Sequence, residues 1–91
     1  MLSARLDPRK VSIALGLFAA VMHVIWSVIV ALGLGQAWMN WVFGLHFISH
    51  SFVVQPFNFV TSIMLIVAAF VVAAIFGWIF ATVWNWVVNR K

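Results

Sequence analysis

From Val11 to Leu34 the chain is almost continuously apolar, broken only by Ser12, His23 and Ser27 among small residues. At about 1.5 Å per residue, a helix over this run is roughly 36 Å long, enough to cross a bilayer core of about 30 Å with some tilt. Residues 11–35 are therefore expected to form a first transmembrane helix. Just upstream, Asp7 is placed to cap it and Pro8 suits a first helical position. The run exceeds the roughly 7–15 apolar residues of a signal peptide, and Ala31-Leu32-Gly33 makes a poor cleavage site, so the segment is expected to be retained.

A second apolar run ends at Val88. Its helix is expected to begin at Pro56 to Asn58, since proline cannot continue a preceding helix and favours a first turn. Unbroken over residues 56–88, it is roughly 45–48 Å long, so it is expected to tilt or to project from the bilayer.

The middle, residues 36–55, is expected to be a connecting helix followed by a turn. At about 100° per residue, Trp38, Trp41, Val42, Leu45, Ile48 and Phe52 share one arc. Gln36, Asn40, Gly44, His50 and Ser51 lie opposite, with His46 at the edge. Met39, Phe43 and Phe47 fall on the polar arc, so the amphipathicity is imperfect. Two placements remain open: an interfacial helix, although its polar face lacks the usual Lys or Arg, or a re-entrant helix packed between the spans. The expected fold class is an all-α membrane protein, a two-helix transmembrane hairpin with a short amphipathic or re-entrant helix between the spans.

Small residues recur every fourth position on both spans. The first carries Ala19, His23, Ser27, Ala31 and Gly35; the second carries Ala69, Ala73, Gly77 and Ala81, with Asn85 and Asn89 continuing the row. Such rows are the ridges of close membrane helix crossings, where small side chains let backbones approach. One row is expected to close the hairpin and the other to contact another subunit.

Charge sharpens this picture. No Asp, Glu, Lys or Arg occurs from Val11 to Asn89. The basic residues stand in a front segment, residues 1–10 (Arg5, Arg9, Lys10), and in a tail, residues 89–91 (Arg90, Lys91). Trp84 and Trp86 precede the tail as an interfacial aromatic anchor. With Arg9 and Lys10, these flanks predict both termini on the cytoplasmic side. The formal charge of +4 is thus membrane anchoring, and no nucleic-acid partner is expected. With 67% of residues hydrophobic, a 91-residue chain cannot hide its apolar surface within itself, so the bilayer and other subunits must cover it.

Composition also narrows the chemistry. The absence of cysteine removes disulfides and thiolate metal sites. Without acids in the apolar stretch, no nucleophile–base–orienter set can be assembled. An enzyme is not expected, and no cofactor is implied. What remains is three histidines, some amides and some hydroxyls. His23 lies mid-span in a small-residue row, either hydrogen-bonded across helices or handling protons. With Trp26 three positions on, it resembles the histidine–tryptophan pairing of small proton channels, at a different spacing. His46 and His50, four apart, would share a helical face as two weak candidate metal ligands, short of a third and fourth. Haem ligation lacks an attachment motif. Ser49, His50, Ser51, Gln55 and Asn58 cluster before the second span. Around a symmetry axis they would form a neutral ring of the kind that replaces an ion's hydration; alone they serve as capping and turn chemistry around Pro56.

The tail Gly77-Trp78-Ile79-Phe80-Ala81-Thr82-Val83-Trp84-Asn85-Trp86 resembles the end of a family of small prokaryotic two-helix membrane proteins of unknown function. Their second helix often closes with a glycine, an aromatic–alanine pair and a Tyr-Asn-Trp-like anchor; here Trp84 takes the tyrosine's place. Ile13-Ala14-Leu15-Gly16 and Trp26 fit the same outline. The resemblance implies a prokaryotic inner membrane and the same architecture, and it carries no activity. The layout of span, short helix, Pro-containing turn and long span is also similar to two-span channels with a pore helix. Their potassium filter is replaced here by Ser49-His50-Ser51-Phe52-Val53-Val54-Gln55.

The leading functional expectation is a homo-oligomer forming an ion-conducting pore lined by Ser49, His50, Ser51, Gln55 and Asn58. His23 and His46 would be titratable modulators acting between about pH 5 and 8. The alternatives are an accessory subunit of a larger membrane complex and a histidine-based metal or haem carrier.

Overall fold

A computed structural model describes residues 4–90 and places three helices in order: α1 (Pro8–Ala31), α2 (Gly35–Leu45) and α3 (Phe59–Val88). No strand occurs among the described residues. The fold is all-α, with two helices long and apolar enough to cross a membrane and a short helix between them.

Local chemistry sets each boundary. The Asp7 side chain accepts the Arg9 N–H at 2.9 Å, and Pro8 occupies the first helical position, where a missing N–H costs nothing. At the other end of α1, Gly33 adopts a left-handed φ of 78°. The Gly33 N–H then reaches Val30 O and the Leu34 N–H reaches Ile29 O, satisfying the last carbonyls. This turn ends α1 at Ala31, short of the expected residue 35, and hands Gly35 to α2. For α3, the Asn58 side chain accepts the Thr61 N–H at 3.0 Å. The helix then runs 30 residues, or about 45 Å.

The connector departs from the expected long helical arc. α2 stops at Leu45, and Phe47 takes a left-handed φ of 61°. Its N–H bonds Gly44 O and the Ile48 N–H bonds Phe43 O, the same closing pattern that Gly33 makes. Phe47 meets this backbone without glycine's freedom, a strain of roughly 1–3 kcal/mol, and its ring is 98% exposed. His50 and Ser51 therefore lie beyond the helix. The expected helical face shared by His46 and His50 does not exist, because the chain turns between them.

α1 packs along α3 through small side chains. Gly77 faces the Ser12 Cα and the Val11 carbonyl, and a Cβ placed there would lie 3.0 Å from each. Gly16 receives the Phe70 ring, which would stand 2.9 Å from an added Cβ. Ser12 Oγ donates to Ala74 O at 2.8 Å, and Ser62 pairs with Ser27 at 2.6 Å. The α3 row is the contact row: Ala69 and Ala73 are half-buried, Gly77 and Ala81 buried. The α1 row serves only in part. Ala19, His23 and Ser27 are half-buried, Ala31 is exposed, and Gly35 packs within the connector against Val30 and Val54.

Among the described residues, those buried are Gly16, Gly35, Gly77, Ala81 and Asn85, and no large side chain is fully buried. A water-soluble domain stabilises itself by burying large apolar side chains; here those side chains point outward. Gly77→Val forces a side chain into backbone that cannot step aside, and is expected to cost about 1–3 kcal/mol in the thermal unfolding of the detergent-solubilised protein. Gly44→Ala, with nothing within 4 Å of the added carbon, is expected to stabilise by as much as about 1 kcal/mol. Equal effects of the two changes would contradict the packing.

Candidate functional site

At the terminal end of the hairpin, an amide clamps the leading segment. Asn85, 9% exposed, accepts the Leu6 N–H and donates to Leu6 O, both at 2.8 Å. Trp84 adds an indole N–H bond to Ala4 O, and the Arg90 guanidinium lies 4.7 Å from the centre of the Trp86 ring. Arg5, Arg9, Lys10 and Arg90 are thereby gathered at one end, beside the two tryptophans expected as anchors. Lys91 and residues 1–3 of the basic front segment lie outside the described residues.

Midway along the hairpin, an open groove of about 570 Å³ runs between α1 and α3. Phe18, Val72 and Phe76 flank it, and Ala19, Ala69 and Ala73 keep it shallow. His23 is the one polar side chain lining it. Its Nδ1 lies 2.8 Å from Ala19 O. A carbonyl oxygen can only accept, so in the neutral ring Nδ1 carries the proton and Nε2 the lone pair. Among the described residues Nε2 has no hydrogen-bond partner. Within one chain, the bond His23 makes is to its own helix. Trp26 stands elsewhere, against Gly35 and a separate cavity.

At the connector end a second amide clamp repeats the first. Gln36 donates to Phe52 O at 3.0 Å and accepts the Val54 N–H at 2.7 Å, holding the extended segment after α2. It also donates to Asn40 at 3.0 Å. His50 sits half-buried between Phe43 and Phe52, with ring centroids 4.7 and 5.7 Å away. Its Nδ1 accepts the Phe52 N–H, which leaves the neutral ring's proton on Nε2. His46 is the opposite tautomer, its Nδ1 donating to Val42 O at 2.7 Å. The two rings are not prepared to offer matching lone pairs to one ion. Among the described residues, no three His, Cys, Asp or Glu side chains gather as a metal site.

The five residues expected to line a pore have different surroundings in a single chain. Ser49 and Ser51 are exposed, His50 is engaged by its neighbours, and Asn58 caps α3. Gln55 and Asn58 instead line a cavity with Trp26, Ser27, Thr61 and Ser62. Comparison with protein-family models, with curated proteins and with solved structures finds no match. The groups that sequence reading missed are Gln36 as a clamp and Ser62 as the partner of Ser27. Neither carries a local signal, because both bonds join distant parts of the chain. Gln36→Leu keeps the volume and removes the clamp. The Val54 amide is then expected to exchange with solvent about tenfold faster or more, with α1 and α3 protection unchanged; unaltered exchange at Val54 would contradict the clamp.

Proposed function

We propose that this chain is a non-catalytic integral membrane hairpin whose copies assemble into a homo-oligomer around a proton- or ion-conducting path. The observation that supports this most strongly is the His23 lone pair in an apolar groove. In hydrocarbon, an unpaired nitrogen is costly, and the remedy is a donor from another chain or water. Ala19, Ala69 and Ala73 leave the groove shallow enough for a neighbouring helix to approach closely. Copies packed this way would turn His23 toward a shared interior. Ser49, Ser51 and Gln55, exposed at the connector end, would then line the mouth.

The gathering of basic residues at the opposite end supports an inner-membrane orientation with both termini cytoplasmic, since a charge-free connector gives no reason to hold it inside. An accessory role in a larger complex would use the same groove. Cross-linking in native membranes separates the two readings, because self-association gives multiples of this chain's mass.

The proposal is tested in liposomes with purified protein and a pH-sensitive flux assay between pH 5 and 8. Wild-type protein is expected to conduct. His23→Leu is expected to lose the pH-dependent part of the flux while keeping its oligomer size in detergent. Absence of wild-type flux at every pH, or full flux in the variant, would overturn the reading.

A further inference from the structure

A second opening, a cavity of about 320 Å³, lies between α1, α3 and the extended segment held by Gln36. Three observations give it a chemical character. First, its wall holds the Ser27–Ser62 hydroxyl pair. One hydroxyl donates to the other, so the second proton has no acceptor among the described residues. Second, Val53, Gln55 and Phe57 line the cavity, and their backbone N–H groups have no partner among the described residues. Unpaired backbone beside an apolar phase persists only where it lines water or a polar ligand. Third, Trp26, Met39 and Leu65 supply apolar wall, and no charged residue lines the cavity.

An ionic head placed here would find no counter-charge and would lose its hydration. A purely apolar ligand would leave the hydroxyls and amides unanswered. We propose that this cavity binds an uncharged amphiphile, with a hydroxyl- or carbonyl-bearing head on an apolar chain. The head would meet Ser27, Ser62 and the free N–H groups of the extended segment, and the chain would lie along Trp26 and Leu65. Diacylglycerol from the bilayer and a free long-chain alcohol share this chemistry. The site adjoins the His23 groove, with Leu65 lining both, but contains neither His23 nor a charged group and does not depend on conduction.

The test uses full-length protein in phosphatidylcholine nanodiscs and a diazirine-bearing long-chain alcohol, with labelled residues mapped by mass spectrometry. Labelling of Trp26, Leu65 and residues 53–57, divided by labelling of the outward-facing Ile79, is expected to exceed that given by the matching diazirine alkane by about fivefold or more. Unlabelled alcohol or diacylglycerol should compete, and which competes better identifies the source. Ser27→Ala combined with Ser62→Ala should remove the preference for the alcohol, and Leu65→Trp should fill the cavity and lower labelling by either probe. Far-ultraviolet circular dichroism reports whether each variant keeps its helices. Equal labelling by alcohol and alkane, a stronger signal from a diazirine fatty acid carboxylate, or failure of both competitors would overturn the proposal.

Discussion

Where Gly77 meets Ser12 and the Val11 carbonyl, α3 lies so near α1 that one added carbon would stand 3.0 Å from two backbone atoms. Contact this close is open only to glycine on that side, and it sets the spacing for the rest of the hairpin. It brings Ser12 within reach of the Ala74 carbonyl, lets Phe70 fill the gap over Gly16, and places Ser27 against Ser62. Dispersion between closely apposed backbones then substitutes for a hydrophobic core, as membrane helices require when lipid is as apolar as their own side chains. The large residues are left for the outside, where a soluble fold would not leave them.

The same poverty of interior explains the two amide clamps. Backbone outside helices must find polar partners wherever it is withdrawn from water. Asn85 pairs with both polar groups of Leu6, and Gln36 pairs with Phe52 O and the Val54 N–H. Each side chain presents the donor and acceptor of one missing strand. A carboxamide does this without a charge, consistent with a stretch that holds no ionised residue from Val11 to Asn89. Past Val54 no such clamp follows, and residues 52–58 line the cavity beside Ser27 and Ser62.

Much of this architecture was legible before any coordinates. The charge-free run marked both long helices, Asp7 with Pro8 marked the first start, and Pro56 to Asn58 marked the second. The row Ala69, Ala73, Gly77 and Ala81 marked the contact face of α3, because four-residue spacing follows directly from helix geometry. The opposing face of α1 was read less well. Gly16 and Ser12 are the close-contact residues there, one turn and more from the row that spacing picked out. The end of α2 was hidden too, since Phe47 holds a conformation that sequence assigns to glycine or asparagine. That one backbone angle moved His50 off the helix. The clamp by Gln36 spans 16 and 18 residues and belongs to tertiary structure, which local pattern does not contain.

Function follows from where uncharged polarity is concentrated. The terminal end spends its polar groups on the chain itself and carries the basic residues. The groove keeps one imidazole nitrogen unanswered, and the connector end keeps a hydroxyl and several amides unanswered. The close α1–α3 contact is made within one chain and is not exchanged between copies. Magic-angle-spinning NMR of protein in bilayers, carbon-13 labelled at Gly77 and Ser12 and diluted into unlabelled copies, tests that directly. A Gly77 Cα to Ser12 Cα cross-peak that keeps its per-molecule intensity on dilution is the predicted result. A cross-peak that disappears on dilution, or none at any ratio, would contradict it.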